Sequence, residues 1–279
     1  MSVVTACRDE SNDRIAATFA SIAAQRYPHI ERIVVDGGSG AATLQALRAL
    51  SPPAERLVSE PDGGVMDAMN KGVHLAGGEL VAFMNVGDRY LGEGALDALV
   101  GVFARRRDVA FACGDFVRVR RDGGRVPVRS PEVSRFRLFC GQLCHQTTLA
   151  RRDLFETIGA FDLALGPLAD MDWFARVLEA GHVGVHCGAT ICEYEAGGQS
   201  VRSLAVYYAA LARFRRDHFT PAERAAFRLG DLVSSALRRL REWNFAPPAR
   251  VGGLARRTLQ PAKRVHRASD ADDERSVPR

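Results

Sequence analysis

"VAFMNVGDRY", residues 81–90, is the stretch on which the fold turns. It starts as an apolar run and stops on an amide, a glycine and a carboxylate, at Asn85, Gly87 and Asp88. A short run that is apolar throughout suits a strand buried on both faces. Three such runs come before it: "SVVTAC" (2–7), "ERIVVD" (31–36) and "RLVSE" (56–60). Between and after them lie helical segments. Residues 11–26 carry Ile15, Phe19 and Ile22 at helical spacing, and 41–50 form a short helix. Residues 64–76 place Val65, Ala68, Met69, Gly72 and Val73 on one side, and 93–105 follow "LVAFMN" (80–85). This βαβαβαβα order predicts an α/β fold with a mostly parallel central sheet flanked by helices on both faces. In such sheets ligands bind at the carboxyl ends of the strands. Asp36, then Glu60 with Asp62, then Asn85 with Asp88 fall at or just after three strand ends, which points to one crevice.

The second half changes character. "VAFACGDFVRVRRDGGRVPVRS" (109–130) reads as a hairpin turning at Asp122-Gly123-Gly124. Short helical pieces are expected around 134–141 and 151–158, and a helix from Asp170 to Glu179. Strands follow at 182–187 and 190–195. From about Arg202 to Trp243 the chain reads as helical and basic, until Pro247-Pro248 and Gly252-Gly253 break it. The expected division is a catalytic domain over 1–201, a helical extension over 202–245 and a basic tail over 246–279.

Apolar residues make up 47% of the chain and charged ones 25%, which places it among ordinary globular proteins. No secretory signal and no run of 18 apolar residues is read, so no spanning helix is expected. The six cysteines (Cys7, Cys113, Cys140, Cys144, Cys187, Cys192) are expected as reduced thiols, and their spacings miss the usual zinc forms. The net charge of +5 is uneven: Arg238 to Arg267 holds nine basic residues against Glu242 alone. Such a segment suits an anionic membrane surface or a solvated helix end. A nucleic-acid module is the rival use, but no RNP, zinc-finger or helix-turn-helix signature supports it, so no nucleic-acid partner is expected.

The chain has no G-x-G-x-x-G and no P-loop, which counts against hydride transfer and P-loop chemistry. Its candidate chemistry is carried by acids. Asp36, leading into "GGSG", fits either a nucleotide contact or an Asx-turn, and Asp62 in "SEPDGG" has the same two readings. Asp88 offers a hard oxygen ligand suited to Mg²⁺ or Mn²⁺, and a dication offsets charge on a diphosphate leaving group. Gly87 lets the backbone come close to a ligand. Asp170 and Asp172 open a helix, where acids cap and complement the dipole, or where one of them acts as a general base. His145 and Gln146, in "LCHQTTLARRDLF" (143–155), could meet sugar hydroxyls or serve the core.

Taken in order, these segments resemble family 2 glycosyltransferases of the GT-A fold, in particular the bacterial exopolysaccharide and colanic-acid type. The resemblance runs through "VVTACRDE" (3–10), "SIAAQRYPHIERIVVDGGSGAATL" (21–44) and "SEPDGGVMDAMNKGVHLAGGELVAFMNVGD" (59–88). It continues in "CHQTTLARRDLFETIGAFD" (144–162), "ADMDWFARVLEAG" (169–181) and "GGQS" (197–200). It implies that Thr5, Arg8 and Glu10 line a nucleotide pocket, that Asp36 binds the base and that Asp62 and Asn85 meet the nucleotide or donor sugar. Asp88 would ligate the metal, Asp170 would be the catalytic base, and His145, Gln146 and Asp172 would border the sugar or acceptor. Asn85 stands where the family often has the first acid of Asp-x-Asp, which leaves one carboxylate for the metal.

The implied activity is metal-dependent, inverting transfer of a sugar from a nucleotide-diphosphate sugar, with uridine the expected base, to a saccharide acceptor, lipid-linked by expectation. The setting would be cell-surface polysaccharide synthesis, in the cytoplasm and peripheral to the inner membrane face. The rival is a degenerate transferase that binds a nucleotide sugar without turnover and serves as a scaffold or regulator.

Overall fold

The computed structural model describes residues 1–120, 122–129, 132–140, 143–195, 204–230 and 232. The "GGQS" segment and the basic stretch from Arg238 onward lie outside the described residues. Strand β1 (Ser2–Cys7) leads to helix α1 (Asn12–Ala23), β2 (Glu31–Asp36), α2 (Ala41–Arg48), β3 (Arg56–Ser59), α3 (Val65–Leu75) and β4 (Leu80–Phe83). Then come β5 (Arg89–Tyr90), α4 (Ala95–Arg105), β6 (Val109–Val119), β7 (Arg125–Val128) and α5 (Arg135–Phe139). A 3-10 turn (His145–Thr147) precedes β8 (Leu149–Arg151), α6 (Leu154–Thr157), α7 (Ala169–Glu179), β9 (Val183–Glu195), α8 (Leu204–His218) and a helix α9 over 221–230.

Among the described residues one sheet runs in the order β3-β2-β1-β4-β8-β6-β9-β5, with β7 on β6. The expected parallel sheet is its first half, where β1 pairs in parallel with both β2 and β4, and β2 with β3. Beyond β4 the sheet becomes mixed: β8 is antiparallel to β4 and β6, and β6 is parallel to β9. The two faces hold separate cores, as the alternation of side chains along a strand demands. Val4, Ile33, Val35, Val81 and Phe83 pack under α3, α5, α7 and α8, while Val3, Cys7, Val34, Ala82 and Met84 pack under α1, α2 and α4.

Two expectations change here. The strands expected at 182–187 and 190–195 are one strand, β9, whose register against β6 shifts between Cys113 and Phe116. That irregularity absorbs Gly188, which has a positive φ of 80°. The helix expected to run unbroken from 202 stops at Phe219. Thr220 and Glu223 then form a reciprocal cap, with Glu223 N–H donating to Thr220 Oγ1 at 3.2 Å and Thr220 N–H to Glu223 Oε2 at 2.8 Å. One compact unit spans Met1–Leu232 and includes α8 and α9. Phe214 and Phe219 are buried in it, and Phe227 meets Phe136, Phe139 and Phe219 edge to face.

Candidate active site

The sheet order reverses between β1 and β4, so a crevice opens beyond the carboxyl ends of these two strands. The chain leaving β4 stays beside β1: Met84 N–H donates to Val4 O at 3.0 Å and Val86 N–H to Ala6 O at 3.1 Å. It then turns sharply, with Asp88 N–H donating to Asn85 O at 3.0 Å. Gly87 takes a φ of 102° there, which a side chain would resist. Helix α1 clamps the turn. Thr18 Oγ1 accepts from Gly87 N–H at 3.0 Å and donates to Asp88 O at 2.8 Å. The Arg14 guanidinium lies against Gly87 where a Cβ would stand, and pairs with Glu10 at 2.7 Å and Glu195 at 2.5 Å.

Asp88 emerges half-buried from this turn, its Oδ2 accepting from Gln146 Nε2 at 3.3 Å. Burial pushes its carboxyl up to about 7, against the opposing pull of His145, Gln146 and Arg14. Gln146 and His145 share the 3-10 turn, which Thr148 anchors by donating to Cys144 O at 2.9 Å. His145 Nδ1 lies 2.9 Å from Asp170 Oδ2, and His145 Nε2 lies 3.2 Å from Asn85 Nδ2. Asp170 sits in the first turn of α7, buried, and its Oδ1 accepts from Met171 N–H at 2.8 Å. Asp88, Gln146, His145, Asn85 and Asp170 therefore form one connected group at the mouth of the switch point.

The segment after β1 joins this group to the ends of β2 and β3. Arg8 pairs with Asp62 at 3.7 Å, Asp9 N–H donates to Ser39 Oγ at 2.7 Å, and Glu10 holds Arg14. Asp62 is packed against Gly37, where a Cβ would come within 2.5 Å of its Oδ2, and it accepts from Gly64 N–H at 3.0 Å. Asp36 is fully buried and built into the turn. Ser39 Oγ donates to its Oδ1, while Gly38 N–H (3.2 Å), Ser39 N–H (2.9 Å) and Ser59 Oγ (2.7 Å) donate to Oδ2. Burial alone would raise its carboxyl, but these donors hold it below the usual range. Lys71 braces the loop before α3 through Glu60 at 2.8 Å and Pro61 O at 3.1 Å.

Two residues fall elsewhere. Thr5 lies inside β1, 1% exposed, rather than after it. Its neighbours Val3 and Cys7 belong to the core under α1, so strand alternation turns it to that face. Asp172, expected beside the acceptor, is buried between α7 and α8. Its Oδ1 meets His218 Nε2 and its Oδ2 takes Arg176 Nε, each at 2.8 Å. Burial opposes ionisation of Asp172, but those two partners hold its carboxyl below the usual range. The sequence reading did not pick out Arg14, Thr18, Ser39 or Ser59. Ser39 had a local signal in "DGGSG"; the approach of Arg14 and Thr18 to Gly87 spans about 70 residues of chain and had none.

The donor set tests whether a divalent cation fits. No group of three or more His, Cys, Asp or Glu able to hold a metal occurs among the described residues. Asp88 is a single hard carboxylate whose ionisation is held back by its burial. The residues thus fit an ion that arrives with further oxygen ligands, such as those of a diphosphate, and not a resident protein-caged metal.

The family model described as glycosyl transferase family 2 matches residues 2–158. An uncharacterized glycosyltransferase of Mycobacterium tuberculosis (strain ATCC 25618 / H37Rv) is 32% identical over 192 residues, which is 67% of this chain and 71% of that protein. Among solved structures, S. aureus TarS 1-349 in complex with UDP-GlcNAc aligns with a TM-score of 0.61 at 18% identity, over 76% of this chain and 64% of that one. The mannosyltransferase PcManGT from Pyrobaculum calidifontis, in complex with GDP-Man and Mn2+, aligns with a TM-score of 0.56 at 17% identity, over 84% and 79%. At those identities the two structures speak for the fold alone.

Proposed function

This chain belongs to glycosyl transferase family 2, with the GT-A fold, and we propose that it moves a sugar from a nucleoside-diphosphate sugar to a hydroxyl of a saccharide acceptor with inversion at the anomeric carbon. The observation that carries the reading is the continuous set of contacts from Asp88 through Gln146 and His145 to Asp170 at the switch point. Asp170 takes the proton of the attacking hydroxyl as general base. His145 orients that carboxylate, and Gln146 spans the distance to Asp88. Asp88 would hold Mg²⁺ or Mn²⁺, and such a dication, when bound, would offset charge on the diphosphate leaving group. Arg8 and Asp62 border the nucleotide, with Asp36 shaping the turn beneath it.

Attack from the face opposite the leaving group needs one base and no covalent intermediate. The connected group accordingly offers one carboxylate for proton transfer and one for the cation. A uridine nucleotide is the first candidate donor, in keeping with the UDP-GlcNAc held by one structural neighbour; GDP-Man in the other keeps guanosine in the test. A lipid-linked acceptor is proposed from the nine basic residues of 238–267.

The test is release of nucleoside diphosphate from a panel of UDP-, GDP- and dTDP-sugars with Mn²⁺ present. Thermal shifts with UDP, GDP and dTDP, each with and without Mn²⁺, run in parallel. One nucleotide should raise Tm only with metal, and Asp88→Ala should erase that metal-dependent rise. A chain that binds no nucleotide under any of these conditions would rule the function out.

A further inference from the structure

We propose that Asn85 is a positioning residue for the base: its amide N–H occupies His145 Nε2, which leaves the ring a single N–H, on Nδ1, aimed at Asp170 Oδ2. The inference rests on Asp170 being the base in the reading above, and it adds a residue that acts on Asp170 through another side chain.

The direction of each bond follows from what the groups can do. Ala6 N–H can only donate, and it meets Asn85 Oδ1 at 3.4 Å. The oxygen of the Asn85 amide therefore faces β1, and its NH₂ faces His145 Nε2 at 3.2 Å and Met69 Sδ at 3.9 Å. An amide NH₂ has no lone pair to offer a ring N–H, so Nε2 must be the accepting nitrogen. A ring with Nε2 accepting carries its proton on Nδ1, 2.9 Å from Asp170 Oδ2. The ring has little room to turn, since Phe83 stands edge-on to it at 6.4 Å between centroids and both His145 and Asp170 side chains are 9% exposed. His145 N–H also reaches Asp170 Oδ2, at 3.4 Å. Two donors from one residue thus fix Oδ2. Oδ1, whose partner here is the Met171 amide, is left as the oxygen to take the acceptor proton.

An aspartate at 85 is nearly the same shape and reverses the logic. A carboxylate only accepts, so it would face the ring with oxygen and demand a proton on Nε2. The ring would then either carry both protons between two carboxylates or turn an Nδ1 lone pair toward Asp170. Both outcomes alter the environment of the base while leaving the fold of the strand end in place. The charged or titratable groups near the ring are Asp170 on α7, Asp88 after β4 and Cys144 beside the 3-10 turn, with Tyr207 on α8 acting on Asp170.

The experiment is long-range ¹H–¹⁵N correlation on the full chain labelled at its seven histidines, with His145 assigned by its disappearance in His145→Gln. At about pH 8, above the ordinary imidazole range, wild type should show His145 protonated on Nδ1 alone. In Asn85→Asp the Nε2 resonance should move to a protonated position. In Asn85→Ala, which covers the case that the aspartate variant does not fold, the Nδ1–H resonance should be lost to exchange as the ring is released. A protonated Nε2 in wild type, an unprotonated Nε2 in Asn85→Asp, or an Nδ1–H signal unchanged in Asn85→Ala overturns the proposal. Turnover gives the second readout: Asn85→Asp should lower kcat about tenfold or more with the donor KM nearly unmoved, and an unchanged kcat counts against the role. The spectra need no turnover, so failure of the transferase reading and failure of the tautomer assignment are told apart.

Discussion

An Asp170→Asn substitution keeps the shape of the side chain and removes its capacity to take a proton. In the proposed mechanism it should lower kcat by about 100-fold or more while the thermal shift with nucleotide and Mn²⁺ stays at the wild-type size. Asp172→Ala should behave in the opposite way. Its carboxylate is buried between His218 and Arg176, so its loss strands two donors and should cost about 3 kcal/mol of stability. Chemical denaturation reads that loss, and the fraction that remains folded should keep its kcat. A kcat loss in Asp172→Ala equal to that in Asp170→Asn would undo the division of roles. The sequence left these two acids open because both suit a helix start. They part company only through His145, 25 residues before Asp170, and His218, 46 residues after Asp172. Asp36 shows the same limit in another form. A turn signal and a ligand site use the same residue type, and here Ser59 from the next strand completes the turn.

Helix α8 meets α7 through His218, which faces Asp172 at 2.8 Å and Glu179 at 3.1 Å. Burial opposes the charge on His218, but these two carboxylates win and raise it above the usual 6.5. A raised histidine contributes stability that is fully present below 6.5 and lost as pH rises through the higher folded value. Asp172, lowered from 3.8, contributes stability that is present above 3.8 and lost as pH falls through its lower folded value. The docking of α8 should therefore be firmest between 3.8 and 6.5 and weaken on the alkaline side. Tm followed from pH 6 to about 9 should fall more in wild type than in His218→Gln, and equal slopes would refute this. At the same scale, strands β1, β2 and β4 could be read from sequence because each holds an apolar run closed by polar residues. Strands β5 and β8, two and three residues long, could not. They exist through pairing with β9 and with β4 and β6, partners that carry no trace in so short a segment. The Thr220-Glu223 cap was legible as T-x-x-E, yet the basic, helical composition on either side hid the break.

Charge is divided along the molecule as well. Residues 238–267 hold nine basic residues and one acid, an excess greater than the +5 of the whole chain, so the remainder is net acidic. The body up to Leu232 carries almost no net charge to draw it to an anionic bilayer, whereas each Lys or Arg near such a surface contributes about 1 kcal/mol. The compact unit ends at Leu232, and the acids that matter to the site, Asp36, Asp62, Asp88 and Asp170, all lie within it. No helix among the described residues is long and apolar enough to cross a membrane. A chain cut after Leu232 should keep its Tm within about 2 °C, because Met1–Leu232 is a compact unit by itself. It should also keep transfer to a water-soluble acceptor. On vesicles containing phosphatidylserine at low salt, the full chain should co-sediment and the shortened chain should stay in solution. Raising the salt should release the full chain, since the attraction is screened over about 10 Å at 0.1 M. If both forms ignore the vesicles, the basic stretch serves something other than a membrane, and the proposal of a lipid-linked acceptor loses its support. If both bind alike, the contact belongs to the body, and the exposed Tyr208 and Leu229 on α8 and α9 become the residues to replace.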